Sequence, residues 1–217
     1  MTLTAPAPST DATTRDHWWV RPGWGPTTSW WTVHATFGGQ PGTPVLRAET
    51  ARLRPLVDRT GWDLIPDRWL HLTMQGVGDT AQVDAQRITA VAAAVRRAVA
   101  GTGPLVVELG PVAVDAEGIN LPARGEGARA LDAVRDRVRE AIGEVVGADG
   151  VEGGPEWRPH VSLAYANTTG LPLEPVREDL AAAGVPVMVE VDHLSLIALR
   201  RDGHLYRWDR AEALPLA

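Results

Sequence analysis

Four of the six histidines in the chain begin a His-x-Thr/Ser triplet: His34-Ala35-Thr36, His71-Leu72-Thr73, His160-Val161-Ser162 and His193-Leu194-Ser195. Serine and threonine make up about a tenth of the residues, so six histidines would give roughly 0.6 such triplets by chance. On a β-strand the first and third residues of a triplet share a face. Each triplet then presents an imidazole beside a hydroxyl. The imidazole gives or takes a proton near neutral pH. The hydroxyl donates a hydrogen bond to an oxygen on which charge grows in a transition state. Two such units facing each other would place a base on one side of a phosphorus atom and an acid on the other. In-line displacement at phosphorus needs both, and it needs no metal.

The triplets at 71 and 160 fit this chemistry best. Each lies in an apolar stretch, RWLHLTMQGV and RPHVSLAYA, and each follows a tryptophan-containing approach: Asp67-Arg68-Trp69 and Glu156-Trp157-Arg158. They fall in different halves of the chain. In SWWTVHATF, alternation sends Trp31, Val33, Ala35 and Phe37 to the core and leaves Thr32, His34 and Thr36 toward the same groove. His34 and Thr36 are therefore candidate substrate contacts. By the same alternation Gln75 shares the face of His71 and Thr73. Trp69 and Trp157 could stack on a base, and Arg158 could hold phosphate. His193 follows Asp192 directly and is expected to pair with it locally. His17 and His204 are expected to be solvated.

The elements that must position these groups follow from periodicity. Strands are expected at 29–37, 68–77, 157–166 and in PLVVELGPVAV, GINLPA, PVMVEV, HLSLIALR and HLYRWD, the last two as a hairpin around Arg201-Asp202-Gly203. Helical spacing marks 45–60, with Pro55 expected to kink or split it. A second helix carries Ile88, Val91, Val95 and Val99, capped by Asp79 or Thr80, and a third carries Leu131, Val134, Val138, Ile142 and Val145. A short one lies near 174–183. This order implies an α/β (α+β) chain in two similar halves, each a small sheet backed by helices. Residues 1–28, rich in Pro, Thr, Ser and Gly, read as a flexible tail whose Trp18, Trp19 and Trp24 could dock on the body. Residues 29–217 read as one domain.

Composition removes several classes of function. There is no cysteine, hence no disulfide, thiolate nucleophile or cysteine-ligated metal. All 21 basic residues are arginine, which excludes a lysine Schiff base, a Walker A loop and a ligase carrying nucleotide on lysine. A net charge of −6 argues against a grip on long duplex nucleic acid. No apolar run reaches the roughly 20 residues of a membrane span, and the N-terminus lacks a secretory pattern, so a cytoplasmic location is expected. No HExxH supports a metallohydrolase, and no G-x-S-x-G elbow supports a serine hydrolase. Neither metal nor cofactor is expected.

RWLHLTMQGVG and RPHVSLAYAN, with WTVHATF as a first strand, resemble the two-histidine phosphoesterases, which include 2′-5′ RNA ligase-like proteins and RNA 2′,3′-cyclic phosphodiesterases. The resemblance runs from about residue 29 to 210 by order of elements. It implies a bilobed fold, two mainly antiparallel sheets facing each other across a central groove with helices outside and a pseudo-twofold between lobes. It also implies His71 as acid, His160 as base, and Thr73 and Ser162 as phosphate ligands. The expected enzyme is a metal-independent phosphodiesterase acting on a small cyclic nucleotide or an RNA terminus. The alternative is a non-catalytic nucleotide or RNA-end binding module using the same groove. Sequence alone leaves the oligomeric state open.

Overall fold

The computed structural model describes residues 11–20, 25, 27–151, 157–183 and 185–217. In chain order the elements are β1 (Ser29–Thr36), α1 (Thr43–Val57), β2 (Trp62–Leu64), β3 (His71–Asp79), α2 (Ala85–Val99), β4 (Leu105–Leu109), β5 (Ala113–Val114), β6 (Gly118–Arg124), α3 (Gly125–Val146), β7 (His160–Ala166), α4 (Glu174–Ala181), β8 (Val187–Val191), β9 (His193–Arg201), β10 (Tyr206–Arg207) and β11 (Ala211–Pro215).

The strands form one curled antiparallel sheet of order β10-β9-β1-β3-β7-β6-β4-β8, with β11 on β9, β2 on β7 and β5 on β6. The two lobes implied by the resemblance are its halves, β9-β1-β3 and β7-β6-β4-β8. They are joined through a single residue pair, Leu72 with Val161. Both residues are apolar and fully buried, so the middle residue of each triplet faces the core while its flanking residues face the concave side. Helix α2 packs on α3, α1 against β7 and β8, and α4 against β5. The expected stripes form these contacts, with Val91, Val95 and Val99 of α2 and Leu131, Val134, Val138 and Ile142 of α3 all buried.

Three local expectations change. Helix α2 is capped by Asp84, whose side chain accepts from the Arg87 amide at 2.8 Å, not by Asp79 or Thr80. Asp79 is still in the ladder, paired with Trp30, so the helix cannot begin there. Pro55 lies in the last turn of α1, where little helix remains to split. The C-terminal hairpin is short, and the chain then returns as β11 along the same edge of β9, a strand the periodicity did not reveal.

Residues 11–20, within the stretch read as a tail, lie against the body. The amides of Thr14, Arg15 and His17 donate to the carbonyls of Leu171, Ala116 and Ala166, each at 2.8 Å. The rest of the expected tail up to Pro26, Trp24 included, lies outside the described residues, apart from Gly25. Ring packing explains the docking. His17 is buried and stacks on Tyr165 at 4.0 Å, and Trp18 stacks on His204 at 5.2 Å. Neither histidine is simply solvated, because His204 also bonds Asp63 at 2.9 Å.

Candidate active site

Antiparallel pairing at Leu72–Val161 brings the 71 and 160 triplets head to tail across the join. The antiparallel sense at that pair puts His71 on the side of Ser162 and Thr73 on the side of His160. The two histidines stand diagonally across that pair, and His160 is near enough to act electrostatically on His71.

The flanking strands repeat the same arrangement. On β1, Thr36, Ala35 and His34 pair with His71, Leu72 and Thr73. On β6, Pro122, Leu121 and Asn120 pair with His160, Val161 and Ser162. Each ladder has a register shift immediately beyond the triplet, between Val33 and His34 in one and between Ile119 and Asn120 in the other. A pseudo-twofold through the Leu72–Val161 pair therefore relates His71 to His160, Thr73 to Ser162 and His34 to Asn120. Sequence reasoning did not single out Asn120. It lies on β6 beside Gly118, where an added Cβ would come within 2.9 Å of the Asn120 carboxamide. Its Nδ2 donates to Asp115 at 2.9 Å.

Both triplet histidines are held by the same device. His71 Nδ1 lies 2.7 Å from the carbonyl of Trp69, and His160 Nδ1 lies 2.8 Å from the carbonyl of Arg158. A carbonyl only accepts, so each Nδ1 is the donor and each Nε2 carries the lone pair of the neutral ring. The residue two before each histidine thus sets its tautomer through the backbone. Trp69 acts here through its carbonyl, and its ring packs edge-on against Trp208 at 4.9 Å with Arg68 over it. The Arg158 side chain is exposed beside His160.

Surroundings separate the two rings. His71 is 8% exposed, and Trp208 and Tyr206 stand edge-on to it at 5.7 and 6.3 Å. Burial lowers its pKa from 6.5 to about 4, with the Trp69 carbonyl pulling upward and His160 pushing further down. His34 sits 4.8 Å from the His71 ring. It is 1% exposed, and neither ring nitrogen has a hydrogen-bond partner among the described residues. Burial holds it well below the ordinary histidine range, and the nearby His71 acts in the same direction.

One expected contact is corrected. Gln75 does not share the face of His71 and Thr73. The register shift after His34 sets Gln75 opposite the core residue Val33, and its carboxamide oxygen accepts from Arg139 of α3 at 2.9 Å. An extra residue in one strand reverses the alternation beyond it. Thr36 is beside His71, but it is buried and its hydroxyl is bonded to Ser195 on β9 at 2.8 Å. That bond ties β1 to β9 behind His71. His193 pairs with Asp192 at 2.5 Å, as local pairing required.

Residues 42–203 match the model of the 2′-5′ RNA ligase superfamily. The chain belongs to that superfamily. Solved structures share the LigT-like fold. One named a phosphoesterase is 15% identical, with a TM-score of 0.61 over 87% of this chain and 99% of that one. TT0787 of Thermus thermophilus is 17% identical, with a TM-score of 0.58 over 85% and 97%. E. coli LigT is 13% identical, with a TM-score of 0.59 over 87% and 98%, and LigT has also been solved with phosphate, 3′-AMP, ATP and NADP+. By sequence, no curated protein matches the chain. Superfamily membership supports a phosphoesterase type of activity. No described helix is long and apolar enough to cross a membrane.

Proposed function

We propose that the protein is a metal-independent phosphodiesterase that opens 2′,3′-cyclic phosphate ends, or related cyclic or 2′-5′ phosphodiesters, by paired-histidine acid–base catalysis. The observation that carries this reading is the head-to-tail pairing of the two triplets around Leu72 and Val161. Thr73 and Ser162 hold the non-bridging phosphate oxygens. His160 Nε2 takes a proton from water as its oxygen attacks phosphorus. The bond from phosphorus to the 2′ or 3′ oxygen breaks, and that oxygen takes the proton from His71 Nε2. A monoester leaves with the ribose hydroxyl restored. Arg158, exposed two residues before His160, is the candidate to meet the outer phosphate charge.

The burial of His71 sets a condition on its acid role, because with a pKa of about 4 the free ring is neutral. A phosphate charge about 4 Å away, at an effective dielectric of about 20, is worth about 4 kcal/mol, or about three pH units. That suffices to draw a proton onto Nε2, so the acid is armed by the substrate it serves.

The test is a screen of 2′,3′-cyclic nucleotides and 2′-5′-linked dinucleotides against wild type, His71→Ala and His160→Ala in excess chelator. Each variant should lose about 10²–10⁴-fold in kcat with substrate binding retained. Undiminished turnover in either variant overturns the assignment of that histidine. Binding without turnover by the wild type would instead make the groove a non-catalytic nucleotide or RNA-end module. Loss of activity in chelator would make the metal-independent reading wrong.

A further inference from the structure

The surroundings of His160 and of His71 are braced in different ways. Before His160, Trp157 Nε1 donates to the carbonyl of Thr73 at 2.9 Å, and the Arg135 guanidinium lies over the indole, 4.9 Å from its centre. Beside His71 the brace comes from residues 14–19, which precede the span that matches the superfamily model.

His17 is the centre of that second brace. It is 8% exposed and stacked on Tyr165, and its Nδ1 lies 3.3 Å from the Glu117 carboxylate. A carboxylate favours the proton on the nitrogen it faces, which leaves Nε2 as an acceptor. Nε2 lies 3.1 Å from the Tyr206 hydroxyl, so that hydroxyl donates to it. The Tyr206 ring in turn stands nearly perpendicular to the His71 ring, 6.3 Å away. One tyrosine therefore connects the N-terminal segment to the histidine proposed as the acid.

The connection is tied a second time. Tyr206 pairs with Arg201 on β9. Arg201 donates to the carbonyls of His17 and Trp19, and its guanidinium lies 5.1 Å from the centre of the Trp18 ring. Trp18 Nε1 donates to Asp63 at 2.9 Å, and the Trp18 ring packs on Tyr206 at 5.5 Å. Strand β10, which carries Tyr206, has only two residues. So short a ladder gives the ring little support, and the N-terminal segment supplies the rest.

We propose that His17 is a positioning residue for the reaction: through the Tyr206 hydroxyl it holds the ring that keeps water from one side of His71. This rests on the phosphodiesterase reading and extends the working site to a part of the chain outside the matched span. Water reaching a buried imidazole stabilises its charged form, so loosening Tyr206 raises the titration midpoint of His71 toward 6.5. The other titratable groups beside His71 are His34 on β1 and His160 on β7. Those beside His17 and Tyr206 are Glu117, Tyr165 and Arg201. All five stay in place in the test.

The test uses His17→Phe, Tyr206→Phe and the two together, in the full chain. NMR follows the His71 titration in substrate-free protein, its resonance identified by its absence in His71→Gln. From about 4 in wild type, the midpoint should rise by about half a pH unit or more in each single variant. The double variant should rise no further than the larger single, because one contact is lost in all three. With adenosine 2′,3′-cyclic phosphate, the alkaline limb of kcat, which reports loss of the acid's proton in the bound complex, should move upward by a similar amount. His17→Gln, whose carboxamide oxygen accepts from the same hydroxyl, should return both most of the way.

An unmoved midpoint in Tyr206→Phe overturns the proposal. That variant removes one oxygen atom and keeps the packing, so it carries the test even where His17→Phe does not fold. Additive shifts in the double variant overturn the route through Tyr206. If wild type hydrolyses no phosphodiester while the midpoints move as expected, the catalytic reading fails and the hold of His17 on His71 stands.

Discussion

The two halves of the groove use one backbone device in two environments. In each, a histidine opens a strand, bonds its Nδ1 to the carbonyl two residues back, and is followed by a core residue and a hydroxyl. His71 is enclosed by Tyr206, Trp208 and His34. His160 is half-buried, between the exposed Arg158 and the buried Val161. The comparison teaches that local sequence sets which nitrogen is free, whereas distant rings set how readily it takes a proton.

The largest effect expected from breaking this contrast is on acid stability. The folded pKa of His71 lies below its unfolded value, so its contribution is complete above pH 6.5 and is lost as pH falls toward about 4. The span is on the order of 3 kcal/mol. Urea unfolding of wild type and His71→Gln between pH 7 and 4 measures it. The variant should lose stability less steeply on acidification, and equal slopes would mean that the ring titrates alike in both states.

The hydroxyls sharpen the comparison. Thr73 is exposed and Ser162 buried, yet both are proposed to meet phosphate. Thr73→Val and Ser162→Ala should each lower kcat/KM by about 10- to 100-fold, as expected for a hydrogen bond to a charged group. Thr73→Val should do so without a change in the denaturation midpoint. A Thr73 variant with wild-type kinetics would remove that residue from the site.

The smallest effect concerns the wall behind His71. Thr36→Val breaks the buried bond to Ser195. It should cost about 1 kcal/mol of stability with kcat within a few-fold of wild type. A large loss of kcat at unchanged stability would make Thr36 a substrate contact.

Much of the site was legible because its logic is local. Alternation on a strand put His71 with Thr73 and His160 with Ser162, and apolar Leu72 and Val161 marked the opposite face as core. Gln75 was misread because alternation was carried through a register shift that depends on the partner strand. The bond from Thr36 to Ser195 was not legible, because the two residues are remote in sequence. Trp18 was legible as a residue in want of a surface, but not the surface itself, which Tyr165, Tyr206 and His204 help to supply, and the burial of His17 against Tyr165 was not legible at all.

By itself, the sequence determined the strand and helix periods, the two imidazole–hydroxyl couples, and the exclusion of cysteine and lysine chemistry. These depend only on residue type and short spacing. Tertiary structure alone decided that the couples meet head to tail at one pair, that His71 is enclosed by rings and its pKa lowered by burial, and that Trp157 is braced by Arg135. Each of these depends on segments far apart in the chain being brought together, and burial and long-range contact have no counterpart in local spacing.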